Sequence, residues 1–173
     1  FRKHAGVREM LVDELLPHSG RWNRNQPLAF QGRPGGRRSA SRRFAREPMS
    51  FSQLSALLAH TTTGVPADFL GPGGTSLLDI YFIANAVADL PSGSYVFVPQ
   101  EQALQLLSAG DVREEAGHLC FEQALGADAS VVVFFLADLE SVLQRFGNRG
   151  YRAVQLEAGI LGGKLYLCAG ALG

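Results

Sequence analysis

Leu78-Asp79-Ile80-Tyr81-Phe82-Ile83-Ala84-Asn85-Ala86-Val87 is nearly all apolar and rich in branched and aromatic residues. A short apolar run of that composition reads as a buried strand. Ser94 to Val98 and Ser130 to Leu136 are two further runs of the same kind. Between and after them the apolar residues recur at helical spacing, over Glu101 to Leu107, Val112 to Leu125, Leu139 to Phe146 and, longest, Tyr151 to Leu172. Strands alternating with helices predict a domain of the α+β or α/β class.

Upstream of the first strand, Ser50 and Gln53 form a capping box, in which each side chain satisfies a backbone N–H that the helix start leaves open. Phe51, Leu54, Leu57 and Leu58 then mark one buried face, so a helix is expected from Phe51 to Thr61. Val7, Met10, Leu11 and Leu15 predict a short amphipathic helix from Val7 to Leu16, stopped by Pro17. From His18 to Arg37 the chain is rich in Gly, Pro, Asn, Gln and Arg without apolar periodicity, which reads as a linker or extended arm. Residues 1–36 are therefore expected to be an N-terminal helix and basic arm, and residues 37–173 the folded domain.

The chain has 173 residues, 46% hydrophobic and 18% charged. That length supports one domain with a real core, and that balance belongs to a folded protein rather than a disordered one. The formal net charge is zero, yet the signs are segregated. Eight arginines and no acid lie between Arg21 and Arg46, whereas from Glu47 to Gln144 the only Lys or Arg is Arg113. An acidic body repels a long polyanion laid across it, so the basic tract suits a small anion better than a nucleic acid. Cys120 and Cys168 form no C-x-x-C pair or disulfide framework, which points to a reducing, cytoplasmic setting. The most lipid-like stretch, Ala158 to Gly173, contains Lys164 and falls short of the roughly 20 apolar residues a spanning helix needs. No membrane role is expected. The four histidines have no metal-ligand spacing, so no metal site is expected either. A Gly-x-Ser-x-Gly elbow, a Walker loop and a Gly-x-Gly-x-x-Gly fingerprint are all absent, leaving those enzyme classes without support.

Two stretches carry candidate chemistry. Arg37-Arg38-Ser39-Ala40-Ser41-Arg42-Arg43-Phe44 brings guanidinium forks and hydroxyls together, a combination suited to phosphate, although by composition alone it is equally a solvated charged arm. Gly71-Pro72-Gly73-Gly74-Thr75-Ser76 is a loop whose glycines permit positive φ and close approach, and it leads directly into the first strand.

Arg-x-x-x-Arg-x-Phe at Arg38, Arg42 and Phe44, followed by Arg46-Glu47-Pro48 and a Leu-rich helix, resembles the N-terminal signature of the FMN-dependent nitroreductase superfamily. Gly73-Gly74-Thr75-Ser76-Leu77-Leu78-Asp79-Ile80-Tyr81 is similar to the loop and strand of its SagB-type branch, the azoline dehydrogenases of peptide maturation, with Gly73 where those usually have serine. Gly147-Asn148-Arg149-Gly150-Tyr151-Arg152, continuing through Leu156-Glu157-Ala158-Gly159 to Leu165-Tyr166-Leu167, resembles the family's Gly-x-x-Gly-Tyr-Arg and core helix, the most specific of the three matches. The resemblance runs from Arg37 to Gly173. Relatives continue further, so the domain is expected to be C-terminally incomplete.

What the resemblance implies is a central mixed sheet flanked by helices, in an intertwined homodimer with FMN in each interface. It implies that Arg38 and Arg42 hold the FMN phosphate with help from Ser39 and Ser41, and that Gly73, Gly74, Thr75 and Ser76 line the ring system. The implied activity is oxidoreduction through flavin N5, with NAD(P)H as candidate electron donor and a small molecule or modified peptide as substrate. An alternative is a cofactor-free, degenerate scaffold of the same fold within a peptide-modifying complex. Azoline-oxidising relatives carry a Lys-Tyr pair where this chain has Arg145-Phe146, and arginine, always protonated near neutral pH, cannot replace a lysine as base. No catalytic residue is assigned. Gly159, Gly162 and Gly163 are expected to thin one side of the last helix so that another backbone can approach.

Overall fold

In a computed structural model the described residues are 9–10, 44–64, 67–70 and 76–172. Five strands, β1 (Glu9–Met10), β2 (Asp79–Ala84), β3 (Gly93–Val98), β4 (Ala103–Ala109) and β5 (Val131–Leu136), form one sheet in the order β1-β4-β3-β2-β5. The helices are α1 (Phe51–Thr62), α2 (Arg113–Leu119), α3 (Ala124–Asp128), α4 (Leu139–Phe146) and α5 (Gly150–Leu172). Among the described residues all four ladders are antiparallel, and the parallel component expected of a mixed sheet is an isolated bridge between Met49 and Val87.

Strand register explains the core. Because side chains alternate across a strand, paired positions stack into rows on one face. Leu104, Phe97, Ile80 and Phe135 form one such row across four strands, and Leu106, Tyr95, Phe82 and Val133 form the next. Against this face α1 lays Phe51, Leu54 and Leu58, almost completely buried with Leu104, Phe97, Ile80, Tyr95 and Phe82, while Leu106, Val133 and Phe135 are partly buried beside them. The capping box that starts α1 is formed as expected: Gln53 N–H donates to Ser50 Oγ at 3.1 Å, and Ser50 N–H donates to Gln53 Oε1 at 2.8 Å. A second cluster joins Val142 of α4 and Val154 and Leu161 of α5 to Leu78 at the entry to β2.

Three helix expectations are corrected. Glu101 to Leu107 is not a helix: after a turn with Gln102 at φ 52°, Ala103–Ala109 pairs with β3 as a hairpin. That pairing brings Leu104 and Leu106, two residues apart, to the core, and the cross-strand contacts override the local helical spacing. Residues 9 and 10, expected within a helix, are instead a strand on the far edge of β4, where Glu9 faces Gln105 and Met10 faces Leu104; the rest of the Val7–Leu16 segment lies outside the described residues. The expected helix from Val112 to Leu125 is divided into α2 and α3 by Phe121 and Glu122, both left-handed at φ 60° and 58°. The two halves fold back on each other at Gly126, where a Cβ would stand 2.6 Å from the Ala116 carbonyl oxygen. Among the described residues no helix is long and apolar enough to cross a membrane.

Candidate functional site

Two clefts among the described residues are candidates. The larger, of about 520 Å³, is bordered by Phe44, Arg46, Met49 and Leu57, by Val131 and Val133 of β5, and by Ala169 and Leu172 near the end of α5. Its wall at residues 44–49 is fastened to the end of the sheet. Met49 N–H donates to the Ala86 carbonyl, Ala88 N–H to the Met49 carbonyl, and the Ser130 hydroxyl to the Glu47 carbonyl at 2.6 Å. Arg46, left-handed at φ 60°, turns its guanidinium to Asp128 at 2.6 Å. The Arg46 side of that pair is exposed, so it orients the segment more than it stabilises it. A volume of this size falls within the range of cofactor and ligand pockets.

The smaller cleft, of about 230 Å³, is lined by Ser76, Leu77, Asp79, Asp138, Ser141, Val142 and Arg145. Asp138 caps α4, accepting from Ser141 N–H at 3.2 Å and from the Ser141 hydroxyl at 2.7 Å, and these bonds hold its pKa below the usual carboxylate range. Burial, and then the charge of Asp138, push the Asp79 carboxyl up. The Arg145 guanidinium lies over the Phe146 ring, 4.6 Å from its centroid, so these two neighbours are stacked on each other.

Of the residues expected to bind a flavin, Arg38, Ser39, Ser41, Arg42, Gly73, Gly74 and Thr75 lie outside the described residues. Ser76 is described. Its hydroxyl donates to Glu157 Oε1 at 2.6 Å, with the Leu78 carbonyl 2.9 Å away, and Leu77 N–H donates to Glu157 Oε2 at 2.9 Å. Glu157, at 2% exposure, is the functional candidate that sequence reading passed over. The only signal was a single carboxylate inside an otherwise apolar helix segment. Seven residues further along α5, Lys164 donates to the carbonyl of Thr63, which caps α1. Burial lowers the Lys164 pKa against the opposing effect of Cys168, and burial raises the Cys168 thiol. Ala169 lines the larger cleft, and Glu157, twelve residues or about 18 Å of helix earlier on α5, bonds to Ser76 and Leu77 of the smaller one.

The other side of α5 is open. Tyr151, Leu156, Tyr166 and Leu167 are each more than half exposed, and a Cβ at Gly159, Gly162 or Gly163 would meet no atom within 4 Å. The expected thinning is present, and the described residues place no backbone against it.

No protein-family model matches the chain. "Putative nitroreductase MJ1384" of Methanocaldococcus jannaschii is 27% identical over 141 residues, covering 79% of this chain and 71% of that protein. A solved "putative nitroreductase" from Anabaena variabilis superposes with a TM-score of 0.69 at 30% identity over 78% of this chain. This chain spans only 29% of the Anabaena protein's length. Another, from Ralstonia eutropha, gives a TM-score of 0.57 at 20% identity, covering 97% of this chain and 79% of that one. A chain of the E. coli microcin synthetase McbBCD complex with truncated pro-MccB17 bound gives 0.57 at 18% identity, covering 84% and 64%. The chain thus has a nitroreductase-like fold of the α+β class, shared in architecture with these three solved chains and in sequence with the Methanocaldococcus protein.

Proposed function

We propose that this chain is a flavoprotein domain of the nitroreductase family, an FMN-dependent oxidoreductase acting as a homodimer. The observation that carries the reading is the superposition of 78% of the chain on a nitroreductase-named structure at a TM-score of 0.69. Bound FMN would supply hydride transfer at its N5 position, while the protein supplies placement and electrostatics. The donor set fits the cofactor: Arg38 and Arg42 would hold its phosphate as guanidinium forks, Ser39 and Ser41 would add hydroxyl donors, and Gly73, Gly74, Thr75 and Ser76 would line the ring. Ser76, the described member of that set, is held in place by a buried carboxylate.

The open face of α5 supports the homodimer. Phe44, two residues after Arg42, borders the larger cleft, and Ser76 borders the smaller. A second copy laid on the open face of α5 would cover Leu156, Tyr166 and Leu167. Exposed apolar side chains interleaved with glycines suit such close packing. A monomeric mass at micromolar concentration in analytical ultracentrifugation would count against it.

Within the family, reduction of a nitro compound or quinone with NAD(P)H as donor ranks above azoline oxidation, because Arg145, stacked on Phe146, cannot serve as a base. A modified-peptide substrate belongs to the SagB-type version of the reading. The second reading, a cofactor-free scaffold within a peptide-modifying assembly, draws on the shared architecture with the microcin synthetase chain. A visible absorption spectrum of the purified protein, before and after addition of FMN, separates the two. Flavin bands that bleach on reduction support the oxidoreductase, and a protein that stays colourless with FMN refutes it in favour of the scaffold.

A further inference from the structure

Glu157 is an expensive residue to bury. Its carboxylate is 2% exposed, and among the described residues no Lys, Arg or His pairs with it. Its partners are two neutral donors, the Ser76 hydroxyl at 2.6 Å and the Leu77 N–H at 2.9 Å. A carboxyl group taken out of water needs hydrogen-bond partners, and among the described residues these two are what Glu157 has. Both donors belong to the same stretch, the entry to β2, eighty residues away in sequence. The carboxylate therefore fixes one short piece of backbone and one hydroxyl to the middle of α5.

A second anchor lies on the same side of the helix. Residues 157, 161, 164 and 168 follow one another at intervals of four, three and four, the spacing that keeps side chains on one helical face. Glu157, Leu161 and Cys168 are buried there, and Lys164 reaches the Thr63 carbonyl. Thr63 caps the end of α1 and Ser76 precedes β2, so α5 grips the chain where it leaves α1 and again where it enters the sheet. An acceptor side chain meets donors at one end, and a donor side chain meets a carbonyl at the other.

We propose that Glu157 is a positioning residue for flavin binding: through Ser76 Oγ and Leu77 N–H it sets the rim of the β2 entry, and Lys164 secures the other end of the connection. This role rests on the flavin reading above. Glutamine at 157 keeps the volume and can accept one bond, but its amide NH2 turns a donor toward the second donor, so at least one of the two bonds is lost.

The test is FMN titration of the full chain, followed by quenching of flavin fluorescence and by the absorption spectrum of bound flavin. It compares wild type, Glu157→Gln, Ser76→Ala and the double variant, with apoprotein melting recorded in parallel. Leu54→Ala, in the separate core under α1, serves as a control for stability loss alone. The dissociation constant is expected to rise on the order of tenfold in Glu157→Gln and less in Ser76→Ala. The double variant should be no worse than Glu157→Gln, and the bound spectrum should shift while Leu54→Ala leaves both readouts in place. A wild type that binds FMN while Glu157→Gln and Ser76→Ala bind equally well overturns the role of Glu157 alone, as does an equal loss in Leu54→Ala. A wild type that takes up no FMN overturns the flavin reading and this role with it. Should Glu157→Gln fail to fold, Ser76→Ala decides: an unchanged constant and spectrum overturn the proposal.

Discussion

Replacing Tyr95 by phenylalanine should destabilise the protein at neutral pH and cease to do so in mild alkali. Tyr95 is completely buried at the centre of the sheet, its ring stacked on Phe82 at 5.3 Å and its hydroxyl donating to the Pro91 carbonyl at 2.6 Å. Phenylalanine keeps the ring and the stack and removes only the hydrogen bond, at a cost of about 1 kcal/mol. Burial pushes the Tyr95 pKa up from 10.0 to about 12. Tyrosine ionises by losing a proton, so unfolding releases that proton between these two values, and stability falls as pH rises through the window. At about pH 10.5 the loss amounts to roughly 0.8 kcal/mol, an upper figure because the hydroxyl points to an exposed proline near solvent. Phenylalanine has no proton to release, so the deficit of Tyr95→Phe should shrink from about 1 kcal/mol at pH 7 to a few tenths at pH 10.5. Tyr81, whose pKa is also raised by burial and by Asp79, is present in both proteins and cancels. Urea unfolding followed by circular dichroism at four or five pH values measures the difference. A deficit that stays constant across that range would refute the argument that burial holds the hydroxyl neutral, and no deficit at pH 7 would show that the bond to Pro91 contributes nothing.

Gly126→Ala should destabilise by about 1–3 kcal/mol, since its Cβ would meet the Ala116 carbonyl oxygen at 2.6 Å and Cys120 at 2.8 Å; an unchanged melting temperature would contradict the packing of α2 on α3. Asp79→Asn should raise stability at pH 7 and make little difference near about pH 3. A carboxyl whose folded pKa is raised by burial and by Asp138 loses stability as pH climbs through that pKa, and asparagine does not; thermal melts at the two pH values check the sign. Gly163→Ala adds a methyl where the described residues leave space. In an isolated helix that gains about 0.5–1 kcal/mol, so a monomer should melt higher. If the open face of α5 joins two copies, the same substitution should shift sedimentation toward the monomer, and an unaltered dimer would place the interface elsewhere.

The elements that sequence reading located are those in which local pattern and final environment agree. The Ser50–Gln53 box starts α1 where it was expected, and β2, β3 and β5 are apolar runs that end up buried or half-buried in the sheet. In β4 they disagree. Leu104 and Leu107 stand three apart, as on a helix, yet Leu104 and Leu106 are the pair that meets Phe97 and Tyr95 across the hairpin. Only the partner strand decides between the two periods. The break between α2 and α3 carried no glycine or proline to announce it, because Phe121 and Glu122 themselves adopt the left-handed conformation. Of the candidate site, resemblance supplied Ser76, and periodicity could not supply Glu157, whose meaning depends on donors eighty residues earlier in the chain.

That dependence explains why α5 looks ambiguous as a sequence. Apolar residues surround its axis, which for a helix of 23 residues suggests complete burial, yet its two sides serve different partners. Val154, Glu157, Leu161 and Cys168 face the rest of the chain, and the single acid in this set is there because backbone at the β2 entry needs an acceptor. Leu156, Tyr166 and Leu167 face outward beside the glycines. Arg152 and Gln155 are exposed on that side too, yet three large apolar side chains beside glycines suit a second protein surface better than solvent. If a second copy covers that side, the buried anchors that fix the Ser76 rim would couple the proposed flavin contacts to assembly. On this argument loss of the dimer and loss of flavin binding should occur over the same range of protein concentration, and a dilute monomer that retains FMN would separate them.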